Sequence, residues 1–179
     1  MATWITSDLH FSHANIQKFC PSTRGHYTDV DNMNEQMILE WNSKVAPTDV
    51  VYILGDVAFC SADKASKIVS QLNGVKHLVV GNHDEKNLKN NVFRECFASV
   101  QHYLRLVYEK QVIVMCHFPI YDHDQAGRGS LMLHGHLHGT PHPIPGRIKD
   151  VGVDSTGQVV CLLDTIIEEL SQIPPIHHH

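Results

Sequence analysis

The sequence holds no uninterrupted apolar stretch near the roughly 18–20 residues that a membrane-spanning helix needs. A helical span is therefore excluded, and no membrane partner is expected. Positive charge is also short. The formal net charge of -5 provides no basic footprint for tight, sequence-independent DNA binding. A local basic cleft is compatible with that charge, and bound divalent cations would offset much of it, so nucleic acid stays open as a partner. Cysteine pairs are missing: Cys20, Cys60, Cys96, Cys116 and Cys161 are odd in number and far apart. They form neither a CxxC metal motif nor a disulfide framework, and read as small apolar core residues in a reducing cytoplasm. Residues 1–5 lack the basic and apolar regions of a signal peptide, in keeping with that compartment. Internal repeats and low-complexity segments are absent as well.

What is present is an ordinary globular composition, 42% hydrophobic and 18% charged, which argues against wholesale disorder. The length suits one domain, expected over residues 1–173, with a tail at 174–179. Histidine is the outlier at 15 residues. His177, His178 and His179 follow Pro174-Pro175 and read as the remnant of a purification tag. The other twelve matter by position.

Residues 3–6 form a short β-rich run that stops at Ser7-Asp8. Met33, Met37, Ile38, Trp41 and Val45 recur at helical spacing, so residues 31–45 are expected as an amphipathic helix capped by Asp31 or Asn32. Residues 49–54 read as a strand ending at Gly55-Asp56, and residues 62–72 as a helix ended by Gly74. Residues 75–80 form another strand, ending at Gly81-Asn82-His83-Asp84. This β-α-β-α-β pattern favours a parallel sheet. Residues 100–108 and 111–116 read as a hairpin, with further strands at 130–134, 150–153 and 158–163. Ser155-Thr156-Gly157 is expected to join the last two strands, and Asp164 to cap a helix through Leu170. Three prolines keep residues 140–146 irregular.

The strand ends carry the chemistry. Asp8-Leu9-His10, Gly55-Asp56, Gly81-Asn82-His83-Asp84 and Cys116-His117 each close a run, and His134-Gly135-His136-Leu137-His138 follows another. One Asp or His at a strand end is usually a cap, and glycine beside Asp or Asn is ordinary turn chemistry. Five such ends are different, because parallel strands gather their C-termini at one edge. Asp8, His10, Asp56, Asn82, His117, His136 and His138 offer mixed oxygen and imidazole donors. That set suits Mn, Fe, Ni or Zn rather than Ca, and seven donors suit two ions sharing a carboxylate. Residues two apart on an extended chain point the same way, so Asp8-x-His10 and His136-x-His138 are expected to chelate as pairs.

In this order the motifs resemble the calcineurin-like metallophosphoesterase superfamily, in particular its small bacterial and phage members. The stretches Asp8-Leu-His-Phe-Ser-His-Ala-Asn-Ile16 and Gly152-Val-Asp154 carry the likeness further. The resemblance implies an α/β fold, a four-layer α/β/β/α sandwich of two mixed sheets flanked by helices. It implies two divalent ions, manganese first. One would be held by Asp8, His10 and His138, the other by Asn82, His117 and His136, with Asp56 bridging. A hydroxide bridging the ions would attack phosphorus in line. His83 would stand by the phosphate as a cation, oriented by Asp84, with His13 and Asn15 also facing it or merely capping a helix. Arg24 and Arg128 are candidate phosphate clamps, since a guanidinium matches phosphate bidentately. His123 and His142 fall in loops that could rim the cleft, His134 reads as a support to the ligands, and Trp41, Phe59 and Phe93 are assigned to packing. The expected activity is hydrolysis of phosphomonoesters or phosphodiesters. The alternatives are a nucleotide-specific hydrolase, acting on cyclic nucleotides or nucleic-acid ends, and a non-catalytic scaffold. The sequence names no interface between copies of the chain.

Overall fold

In a computed structural model, which describes residues 1–141 and 143–176, the short apolar runs build two sheets. The strands are β1 (Thr3–Thr6), β2 (Val50–Ile53), β3 (Val75–Val79), β4 (Ser99–Gln101), β5 (Tyr103–Tyr108), β6 (Gln111–Cys116), β7 (Leu131–His134), β8 (Ile148–Asp150) and β9 (Cys161–Leu162). The helices are α1 (Ile16–Phe19), α2 (Pro21–Arg24), α3 (Val30–Lys44), α4 (Ala62–Val69), α5 (Asn91–Arg94), α6 (Val153–Thr156) and α7 (Leu163–Ser171). One sheet has the order β4-β3-β2-β1-β9, and the other β5-β6-β7-β8. β1 to β4 are mutually parallel and β9 joins antiparallel, while β5 is antiparallel to β6 and β6 to β8 are parallel. The chain is thus an α/β fold of two mixed sheets flanked by helices.

Alternation sorts the side chains. Val51, Ile53 and Leu78 face outward from the first sheet and pack with Met33, Met37 and Trp41 of α3 and Ala65, Ile68 and Val69 of α4. Ile5 and Val79 point the other way, meeting Ile113, Met115, Leu131 and Leu133 of the second sheet. Four cysteines are partly buried and Cys161 fully, all unpaired. No helix among the described residues is long and apolar enough to cross a membrane.

The boundaries differ from the sequence reading in several places; α4, for example, stops at Val69 with Ser70 as its C-cap, short of Gly74. Asp29 caps α3, its carboxylate accepting from the amides of Asp31 (3.0 Å) and Asn32 (2.8 Å). Residues 100–108 are not one strand, because the chain crosses at His102 from the first sheet to the second. Residues 150–153 and 158–163 do not pair, since β8 belongs to the second sheet and β9 to the first, with α6 between them. Asp164 lies inside the first turn of α7, where its charge complements the helix dipole, and Leu162 takes the cap position.

Candidate metal centre

The parallel strands β1, β2, β3, β6 and β7 end at the same edge, and the chain turns sharply there. Asp8 (φ 56°), His10 (48°), Asp56 (54°), His136 (73°) and His138 (49°) are all left-handed. The two x-spaced pairs therefore converge through alternate left-handed residues and not through an extended chain. Each such residue costs roughly 1–2 kcal/mol, so the surroundings must hold it. They do so with cross-loop bonds, Asp8 N to Gly55 O and His10 N to Asp56 O, both 3.0 Å. Gly135 completes the packing: a Cβ there would overlap the Asp8 carboxylate and the Ser7 side chain. Without one, the His136 amide reaches Asp8 Oδ2 at 2.9 Å.

Two donor clusters stand at this edge, Asp8 with His10 and His138, and Asp56 with His117 and His136, the donor atoms of each within 4.8 Å of one another; Cys20 and Asp154 form a further group around His138. Asp8 Oδ1 stands 3.9 Å from His10 Nε2 and 3.8 Å from His138 Nε2. Asp56 Oδ2 lies 3.5 Å from His117 Nε2, 3.7 Å from His10 Nε2 and 3.9 Å from His83 Nε2. These gaps are too long for hydrogen bonds, but they are what two ligands of one ion subtend at bond lengths of about 2.0–2.2 Å. Asp8 Oδ1 and His10 Nε2 are moreover buried without any hydrogen-bond partner. His117 shows the same need. Its Nδ1 lies 2.7 Å from the Leu54 carbonyl, which can only accept, so Nδ1 carries the proton. In the neutral ring Nε2 is then a bare acceptor, yet it faces the Asn82 carboxamide oxygen at 3.0 Å. A cation between two acceptors resolves that contact.

Electrostatics follow from burial. Burial pushes the Asp8 carboxyl up to about 6. It pushes His10 down to about 2, with the neighbouring His138 and His13 adding to the effect. His136 is lowered by burial and by His117. His138 is raised, chiefly by the hydrogen bond of its Nδ1 to Asp154 Oδ2 at 2.8 Å. Burial opposes ionisation of Asp154, but hydrogen bonds from His138, Arg24 and Thr23 hold it well below the usual carboxylate range.

A match to the model of the calcineurin-like phosphoesterases covers residues 1–157. The chain belongs to that family. It belongs with it to the metal-dependent phosphate-ester hydrolases. An uncharacterised protein of Methanocaldococcus jannaschii is 39% identical over 84 residues, and the chain spans 46% of that relative's length. The gene 66 protein of Mycobacterium phage L5 is 28% identical over 188 residues, covering 88% of this chain and 89% of that one. A solved structure of a protein of unknown function from Aquifex aeolicus shares the fold with a TM-score of 0.75 at 21% identity, over 94% of this chain and 98% of the other.

Several side chains of this phosphoesterase have other duties than the sequence suggested. Arg24 is fully buried and is no phosphate clamp. Its guanidinium donates to Asp154 (2.7 and 3.1 Å) and to the carbonyls of Asp8 (2.7 Å) and Leu9 (3.1 Å). Arg128 is exposed at the opposite edge, because the carbonyl of the next residue, Gly129, is bound at 3.0 Å by Gln111 at the start of β6. His123 is buried near the same edge, 3.5 Å from the Ser130 carbonyl, and does not rim the cleft. Asp84 does not orient His83. Its buried carboxylate accepts from the amides of Asp56, Val57 and Gly81, each 2.9 Å, and so braces two ligand loops against each other. His83 is held instead through its own amide, which donates to Asp56 Oδ1 at 3.0 Å. His13 stands beside His10 with ring centroids 5.2 Å apart, and Asn15 is exposed at the cap position of α1 without a side-chain cap bond. His134 is buried, its Nδ1 2.8 Å from the Gly135 carbonyl, and lies outside both clusters. Trp41 and Phe93 pack in the core, but Phe59 is 49% exposed and faces the site. His142 and the three terminal histidines lie outside the described residues.

Sequence reasoning missed the Asp154–Arg24 brace, whose partners are 130 residues apart and carry no shared local pattern. It also missed Phe59. The available signal was its place three residues past Asp56, in a loop at the strand C-termini.

Proposed function

We propose that the chain is a dinuclear phosphoesterase hydrolysing phosphomonoesters or phosphodiesters. The observation that supports it best is Asp56 Oδ2, which stands within 3.5–3.9 Å of imidazole nitrogens from both clusters and from His83. A carboxylate so placed suits a bridge between one ion held by Asp8, His10 and His138 and another held by Asn82, His117 and His136. Two bound ions would supply positive charge that polarises the phosphoryl group and acidifies a water near neutral pH. The mixed donors suit manganese first, with iron, nickel or zinc also matched.

The chain's own residues supply the rest. His83 is part-exposed, with its side chain 41% accessible, so a substrate oxygen can reach its Nε2. From there, 3.9 Å from Asp56 Oδ2, a protonated imidazole would stabilise phosphate charge or pass a proton to the leaving oxygen. Its backbone bond to Asp56 keeps that proton donor in register with the bridging carboxylate. The intact donor set and the presence of His83 weigh against a non-catalytic scaffold.

The test is metal analysis of purified protein together with hydrolysis of bis(p-nitrophenyl) phosphate. Near two ions per chain and a rate dependent on added Mn(II) or Ni(II) are expected; a single tetrahedral zinc sinks the dinuclear reading.

A further inference from the structure

Aromatic rings that the core does not use bracket the metal centre. Phe11 and Phe93 are fully buried, whereas Phe19, Phe59 and Phe118 are 69%, 49% and 45% exposed. Each exposed ring lies against a site histidine. Phe59 stacks on His13 at 4.3 Å between centroids and meets His83 edge-on at 5.2 Å. Phe19 meets His13 at 6.1 Å. Phe118 meets His136 at 4.7 Å and His117 at 5.0 Å, beside the second cluster. His13 and His83 neighbour His10 of the first, with centroids 5.2 and 5.7 Å away. An exposed phenylalanine forgoes the burial that a core ring gains, and several at one cleft mark a ligand surface.

Phe59 also walls a groove of about 480 Å³, joined to the centre through Asn82 and His83. Lys86 and Lys89 line it with one carboxylate, Glu85. The volume is that of a small-ligand pocket. A flat ring beside cations and an amide suits a planar, hydrogen-bonding, anion-bearing group better than an aliphatic chain, which would call for an enclosed apolar pocket. The net charge of -5 argues against an extended nucleic-acid track, and so for a ligand of one or two nucleotides.

We infer that the substrate is a short nucleotidyl phosphodiester, with one base against Phe59 in the groove and a second planar group against Phe118. The inference rests on the phosphoesterase reading and names its substrate class. Base–aromatic stacking is sequence-tolerant, so the site selects planarity and not a particular base.

Calorimetry of the metal-loaded protein tests the groove without relying on turnover. Adenosine 5′-monophosphate and ribose 5-phosphate differ only in the base. The nucleotide is expected to bind about tenfold more tightly, as one base–aromatic stack is worth. Phe59→Ala abolishes that preference and Phe59→Trp keeps it. Equal or undetectable affinity for both ligands, or a full preference in Phe59→Ala, overturns the inference. The second wall is read from KM. Phe118→Ala raises KM for a diadenylate about tenfold more than it raises KM for a cyclic mononucleotide, and Phe118→Trp keeps the diadenylate KM. An unchanged diadenylate KM overturns the two-sided arrangement. Failure to hydrolyse bis(p-nitrophenyl) phosphate with metal bound counts against the phosphoesterase reading itself, and leaves the binding comparison readable.

Discussion

The two donor clusters sit at different depths. Asp8 is fully buried, His10 is 3% exposed, and His138 is held by Asp154, which the buried Arg24 holds in turn. In the other cluster Asp56 and His117 are buried, while His136 and the neighbouring Asn82 are exposed and His136 rests against the exposed Phe118. Beyond Asp56, the first cluster is thus braced from the interior, whereas the second rests on one buried imidazole and two surface side chains. A rigid, supported donor set loses less freedom on binding an ion, so on the dinuclear reading the first site is the tighter and the second the more exchangeable. The second is also the side where Asn82 opens onto the groove.

On the dinuclear reading Asp56 is the element common to both, and removing it has the largest expected effect. Asp56→Asn lowers metal content in both clusters and cuts hydrolysis beyond the roughly 10²–10³-fold that loss of a single transition-state donor costs. Retention of two tight ions and near-normal turnover would refute the bridge. His83→Ala comes next, with kcat down by about 10²–10⁴-fold as for a lost general acid and metal content unchanged. A variant with wild-type turnover would show that His83 has no such part.

Two further substitutions separate the clusters. Asp154→Asn weakens the hold on His138 and strands the Arg24 charge, so affinity at the first site falls about 10–100-fold while the second keeps its own. It also destabilises the fold by about 3–5 kcal/mol, as breaking a buried pair does, measurable as a lower denaturant midpoint. Asn82→Ala does the reverse. Stoichiometry drops towards one ion, the first site keeps its affinity, and stability barely moves because the side chain is exposed. Equal losses at both sites in either variant would erase the distinction between them.

The clusters were legible in the sequence because each candidate donor lies at or just past the end of an apolar run, and a parallel sheet leaves those ends little choice of place. Asp8, Asp56, Asn82 and His117 needed only that topology. The mechanism of convergence was not legible: local pattern says where a strand stops, and not that Asp8, His10, His136 and His138 turn left-handed after it. Nor did charge type reveal Arg24 and Asp84, since a buried brace and an exposed clamp use the same residues. The split of residues 100–108 at His102 was hidden for a similar reason, as β-propensity is blind to which sheet a strand joins.

The finest contrast between the clusters is their response to pH. A ligand must be deprotonated to take an ion, so each raised pKa becomes a proton to displace. Burial puts Asp8 at about 6, above its ordinary 3.8, and Asp154 raises His138. Below pH 6 the first site therefore gives up roughly tenfold in affinity per pH unit from Asp8 alone, with His138 adding to the slope. His10, pushed down to about 2, is already neutral and adds nothing, and in the second cluster His136 is likewise lowered. For the metal-free fold, Asp8 contributes stability that is full below 3.8 and is lost as pH rises through about 6, where a bound ion replaces the missing proton. Titration with Mn(II) between pH 5 and 7.5 in Asn82→Ala, which isolates the first site, and in His138→Ala, which isolates the second, reads the two slopes. The first is expected to be the steeper; equal slopes would mean that the buried carboxylate does not set the difference.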